Sequence, residues 1–125
     1  MMDLSALICT MDLDFFGTGK HKINFEDMME MYRNDTVYIL DVRTKDECDY
    51  IQFPFAQNIP LHELPEQLGP IPKDKTIAVF CSSETRAVIA YTFLLTKGYD
   101  AKIVLEKLGE LAEHFKPGYV RKNLI

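Results

Sequence analysis

TIAVF-CSSETR-AVIAYTFLLTK, residues Thr76 to Lys97, is the stretch that decides the fold class. Thr76 to Phe80 are β-formers or apolar with no polar alternation, the pattern of a strand buried on both faces. From Arg86 the spacing turns helical, with Ala87, Ala90, Tyr91 and Leu94 on one face. Gly98 then supplies the residue type favoured just past a helix C-terminus. Cys81 falls between the two elements. A strand, a tight loop and a helix N-terminus aim backbone N–H groups and the positive end of a helix dipole at one point. A thiolate at that point is stabilised as an anion, which makes Cys81 a candidate nucleophile.

Outward from this stretch the same alternation repeats. VYILDV (Val37–Val42) reads as a second buried strand, and Thr44-Lys45-Asp46-Glu47 has the T-x-x-E form that opens a helix with reciprocal caps. Asp41 and Arg43 therefore lie at the C-terminal end of a strand, where open parallel sheets carry their functional groups. Upstream, Lys22–Asn24 is a short strand candidate and Asn24 a cap for FEDMMEMYRN, whose Phe25, Met28, Met29 and Tyr32 share one face. FPFAQNIPL is an edge strand at most, because Pro54 and Pro60 break it. Leu61–Leu68 makes a helical turn or two, Ala101–Leu105 a last strand, and Leu108–Phe115 a helix stopped by Pro117-Gly118. Strands alternating with helices imply an α/β fold with a mostly parallel sheet covered on both faces. The N-terminal residues, 1–21, read as an extension packed through Leu13, Phe15 and Phe16, leaving 22–125 as the domain.

Composition narrows the function classes. At 125 residues the chain is about one domain, and 47% hydrophobic with 26% charged residues is ordinary for a soluble globular protein. The net charge of −5 and the lack of a basic cluster argue against nucleic-acid binding. Cys9, Cys48 and Cys81 are odd in number with no C-x-x-C spacing, which disfavours a disulfide framework or a zinc site and points to a reducing compartment. His21, His62 and His114 are scattered singly, so no histidine metal site is expected. No apolar run reaches the length of a membrane span, and the acidic start, with Asp3, Asp12 and Asp14, has the wrong charge for a secretory signal. A cytoplasmic protein is the expectation.

Taken together, YILDVRTKDE, FPFAQNIPL and VFCSSETRA, in this order, make the chain from about Lys22 to Pro117 resemble a rhodanese (sulfurtransferase) domain. The first is similar to that family's Asp-Val-Arg strand end and short helix, and the second to its G-H-I-P-G-A-x-N-I-P segment. The third is similar to its active-site loop, a cysteine followed by a five-residue loop ending in arginine. The resemblance implies a three-layer fold, a five-stranded mostly parallel sheet flanked by helices. It also implies a sulfurtransferase that takes a sulfane sulfur from a donor such as thiosulfate, holds it as a persulfide on Cys81, and passes it to a thiol, to cyanide or to a sulfur-carrier protein. By the same resemblance, the backbone amides of Ser82, Ser83, Glu84, Thr85 and Arg86 ring the outer sulfur, and Arg86 closes the loop. Asp41 and Arg43 tie the second strand to the loop region, with Arg43 expected to pair with Glu47. No metal or organic cofactor is implied, because the persulfide is itself the carrier.

A persulfide is anionic and needs hydrogen-bond donors, which loop amides at a helix N-terminus supply without reorganisation. The hydroxyls of Ser82, Ser83 and Thr85 can add donors, and Ser83 or Thr85 can equally serve as a helix cap. Departures from the family pattern keep other readings open. Glu84 stands where glycine is usual, Ser82 where arginine is frequent, and Ile51-Gln52-Phe53-Pro54-Phe55-Ala56 lacks the family's glycines and histidine. A catalytically silent module that binds a partner or senses redox state is therefore the alternative. A phosphatase or arsenate reductase fits less well, since those enzymes place five residues between cysteine and arginine where this chain has Ser82 to Thr85.

Overall fold

Five strands form one sheet: β1 (Lys22–Ile23), β2 (Val37–Asp41), β3 (Gln57–Asn58), β4 (Thr76–Phe80) and β5 (Asp100–Val104). All the pairings are parallel and the order across the sheet is β1-β5-β4-β2-β3. The computed structural model describes residues 1–124; Ile125, the last residue of the expected domain, lies outside them. The helices are α1 (Leu4–Ile8), α2 (Leu13–Gly17), α3 (Phe25–Arg33), α4 (Lys45–Tyr50), α5 (Thr85–Thr96), α6 (Leu108–Glu113) and α7 (Pro117–Tyr119), with a 3-10 segment over Leu61–Glu66.

Every residue of β4 is buried, as its unbroken apolar run demands, and its side chains feed two cores in alternation. Ile77 and Val79 pack with Ala87, Ala90, Tyr91 and Leu94 of α5, the face its spacing predicts. Ala78 and Phe80 pack on the other side with Phe25, Met28 and Met29 of α3 and Leu111 of α6. The result is three layers, helix on sheet on helix. Tyr32, expected on the same face of α3, is 43% exposed at the helix end.

Local signals place the helix ends. Asn24 accepts from the amide of Asp27, and Thr44 with Glu47 forms the reciprocal cap of α4. α5 ends where Gly98 takes φ +85°, with Gly98 N–H donating to Leu95 C=O and Tyr99 N–H to Leu94 C=O at 3.1 Å each.

Two expectations are corrected. In the N-terminal segment Leu13 is 86% exposed and Phe16 is exposed, whereas Leu7 is buried and the expected Phe15, with Met11, packs against the core between β4 and α5. The cause is the seating of α1 along α5, where Met2 N–H donates to Thr96 C=O. Pro117 does not stop the C-terminal helix. α6 has already ended at Glu113, and Pro117 opens α7, in the first-turn position where its missing N–H costs nothing. A π-helical turn, Val120–Leu124, follows.

Candidate active site

The carboxyl ends of β2 and β4 lie side by side because Asp41 pairs in register with Phe80. The residues that follow, Arg43 on one strand and Cys81 on the other, therefore leave the sheet at the same edge. Cys81 is buried, and its Sγ accepts N–H groups from Glu84 at 3.1 Å and Ala87 at 3.4 Å. Both donors belong to the entry of α5, so the helix dipole points the same way. Among the described residues these are the amides that reach the sulfur; Ser82, Ser83, Thr85 and Arg86 surround it without donating to it from the backbone.

The loop achieves this through Glu84, which takes φ +94°, ψ −38°. That is glycine's region, and a residue with a side chain held there costs about 1 kcal/mol or more. The turn directs the Glu84 amide at the sulfur and leaves its carboxylate on the exposed side. Glu84 also occupies the N-cap position of α5 with no side-chain capping bond, so neither Ser83 nor Thr85 caps the helix. Both are exposed.

Arg86 reaches back across the sheet edge. Its two terminal nitrogens donate to Glu47 at 2.6 and 2.9 Å, and Nη2 also donates to Ser82 Oγ at 3.0 Å. Glu47 sits at the head of α4 because the Thr44 cap fixes it, with the Thr44 amide and hydroxyl donating to the same carboxylate. The Arg86 hydrogen bonds, aided by Thr44, hold the Glu47 carboxyl down to about 2. Glu47 is thus ionised throughout the neutral range, and most of the Arg86 charge is answered by it.

Arg43 was expected to pair with Glu47; it pairs with Asp41 instead. Its Nε and Nη2 donate to the Asp41 carboxylate at 3.0 and 2.7 Å, Nη2 reaches Ile51 C=O at 2.8 Å, and both residues are almost wholly buried. The reason is geometric. Asp41 and Arg43 are two apart on an extended segment and point to the same side, whereas Glu47 is drawn outward by Thr44 and Arg86. Asn58 completes the unit by donating from Nδ2 to Asp41 C=O at 3.0 Å and Arg43 C=O at 2.8 Å. Asn58 was not singled out from the sequence; it is the last residue of β3 and stands in register with Asp41. Cys48, on α4, donates its thiol to Asp41 Oδ2 at 3.4 Å, and burial first, then the Asp41 charge, pushes that thiol up to about 11. Cys9 follows α1 and is exposed.

A sulfur anion at Cys81 thus meets two amides, a helix terminus and a guanidinium whose charge is shared. That set suits one negative charge. Among the described residues, no group of three or more His, Cys, Asp or Glu side chains is placed to hold a metal ion.

The sequence model of the rhodanese-like domain matches residues 24–109, which hold every residue of this site. The chain belongs to the rhodanese-like domain family. A sulfurtransferase of Allochromatium vinosum is 32% identical over 65 residues, 52% of this chain and 61% of that protein, so the match spans about three-fifths of the relative's length. Among solved structures, a rhodanese-related protein from Thermoplasma volcanium superimposes with a TM-score of 0.67 at 29% identity, over 78% of this chain and 95% of that one. A human single-domain sulfurtransferase, TSTD1, gives 0.66 at 20% identity over 77% and 98% of the two chains, a likeness of fold. The rhodanese-like match begins at the Asn24 cap of α3, so α1, α2 and β1 precede it.

Proposed function

We propose that this rhodanese-like domain is a sulfurtransferase in which Cys81 carries the sulfane sulfur as a persulfide. One observation carries the reading: the Cys81 sulfur accepts two N–H groups at the N-terminus of α5, an arrangement that suits an anionic sulfur. In the first half-reaction the Cys81 thiolate attacks the outer sulfur of a donor such as thiosulfate. The donor's S–S bond breaks and its electron pair leaves on sulfite. In the second half-reaction a thiolate, cyanide or an anionic nucleophile on a sulfur-carrier protein attacks the outer persulfide sulfur, and the Cys81 thiolate leaves. Charge and sulfur balance in both steps. Ser82, Ser83, Glu84, Thr85 and Arg86 form the cradle, with Arg86 tied to Glu47 holding the loop shut, while Asp41 and Arg43 support it from below. The working unit runs over residues 22–125 with 1–21 as an extension, and three free cysteines fit a reducing compartment such as the cytoplasm. Among the described residues, no helix is long and apolar enough to cross a membrane.

A second reading, a silent module that binds a partner or senses redox state, draws on the Glu84 carboxylate in the loop and on the commitment of Arg86 to Glu47. Intact-mass measurement after incubation with thiosulfate and with an organic persulfide separates the two. The sulfurtransferase gains one sulfur atom that a reductant removes and that a Cys81→Ser variant does not gain. No gain from any donor would leave the silent module as the better reading.

A further inference from the structure

A groove of about 360 Å³ opens beside the loop. Met11 and Phe16 of the N-terminal segment form one wall, Val88 of α5 the opposite one, Ile103 and Leu105 contribute from β5 and its end, and Glu84 lies at its rim. The volume and the mainly apolar lining are those of a small-molecule site. Glu84 joins the groove to the chemistry, since its amide stands 3.1 Å from the Cys81 sulfur. Val88, on the next turn, donates its N–H to Glu84 C=O at 2.8 Å, so groove and loop are built on the same backbone.

The charges around the groove select what it can hold. Glu84 and Lys22, both lining it, cancel. His21 is neutral at pH 7, because burial and then Lys22 and Lys102 push its imidazole down. The Arg86 guanidinium of the loop is already engaged by Glu47. A dianion therefore finds the loop amides but no net positive charge to answer its second charge. A singly charged sulfur bonded to an apolar group finds the amides for its sulfur and the groove for its carbon.

We infer that the groove binds the apolar arm of the sulfur donor, and that the preferred donor is a monoanionic organic compound, its sulfane sulfur carried on an alkyl or aryl group, rather than an inorganic dianion. The inference rests on Cys81 being the sulfur carrier. With a thiosulfonate, R–SO2–S⁻, the Cys81 thiolate attacks the terminal sulfur, the S–S bond breaks, and the sulfinate R–SO2⁻ leaves with the electron pair, its R group seated in the groove.

The test uses the full chain and three probes: thiosulfate, methanethiosulfonate and benzenethiosulfonate. Sulfur loading of Cys81 is timed by rapid quench and intact mass. Benzenethiosulfonate loads at least tenfold faster than methanethiosulfonate at equal subsaturating concentration, with thiosulfate slowest. In Val88→Ser, and separately in Leu105→Ser, the benzene-to-methane ratio falls at least threefold; because it is a ratio within one variant, a general loss of folded protein cancels. The intrinsic difference between the two leaving groups cancels in the comparison of variants with wild type. A wild-type ratio below two, or a ratio unmoved in both variants, overturns the groove assignment while persulfide formation still stands. Absence of loading from all three probes is a different result, a chain that forms no persulfide at all, and it overturns the sulfurtransferase reading together with the inference.

Discussion

Two cysteines lie near the carboxyl edge of the sheet at nearly the same depth, Cys48 at 8% exposed and Cys81 at 3%, yet their surroundings are opposites. Cys48 donates its hydrogen to the Asp41 carboxylate, and burial beside a negative charge keeps it a thiol. Cys81 accepts hydrogens from two amides at a helix start. Burial alone does not make a cysteine inert or reactive. What differs is whether the groups pressed against the sulfur donate to it or accept from it, and that follows from which end of which element each cysteine occupies.

The sharpest way to break this contrast is to remove each sulfur in turn. Cys81→Ser is expected to abolish sulfur uptake, and Cys48→Ser to keep it, its hydroxyl still able to donate to Asp41; intact mass after donor treatment reads both. Loss of uptake in Cys48→Ser with Cys81 intact would collapse the distinction. Next in size is Asp41→Ala. It strands the Arg43 guanidinium in the core and is expected to cost about 3–5 kcal/mol in denaturant unfolding, since a buried ion pair broken on one side leaves an unpaired charge. The double replacement Asp41→Leu, Arg43→Met should recover a large part of that loss.

Titration sharpens the comparison further. The Cys48 thiol is raised from 9.0 to about 11, so its contribution to stability is intact below pH 9 and is lost as pH rises through 11. Alkylation of Cys48 in a Cys9→Ser, Cys81→Ser background, followed against pH, should therefore lag the unfolded chain about a hundredfold at pH 8. Glu47 works on the acid side with the opposite sign. Its folded value of about 2 lies below the ordinary 4.5, so its stabilisation is full above pH 4.5 and disappears as pH falls through 2. With its side chain 36% exposed, solvent screening leaves roughly 1 kcal/mol, to be seen as a shallower acid limb of the unfolding midpoint in Glu47→Gln. The smallest effect belongs to Glu84→Gly. Relief of the positive φ and the greater freedom of glycine in the unfolded chain partly cancel, for a net gain below about 1 kcal/mol in thermal unfolding.

What was legible in the sequence was what is settled locally. The buried strand at Thr76–Phe80, the Asn24 and Thr44 caps and the glycine after α5 each depend on neighbours within a few positions, and each stands where the residues put it. Cys81 at the junction was legible for the same reason. The partners of the arginines were not. Arg43 could be matched to Glu47 only by spacing on a helix it does not belong to, while the residue that claims Glu47 is Arg86, distant in sequence. Asn58 was invisible because its role, two carbonyls at the end of another strand, exists only once β3 has docked on β2. The groove shares that origin, its walls coming from the N-terminal segment, α5 and β5 at once.

The all-parallel sheet also bears on how the protein is made. β4 finds one neighbour in Val37–Asp41 before it and the other in Asp100–Val104 after it, each across a long connection that must close before any ladder bond rewards it. The loop bearing Cys81 leaves the end of that strand, whose two neighbours both arrive across such closures. The Cys81 loop is therefore carried on a strand anchored by chain on both sides of it in the sequence.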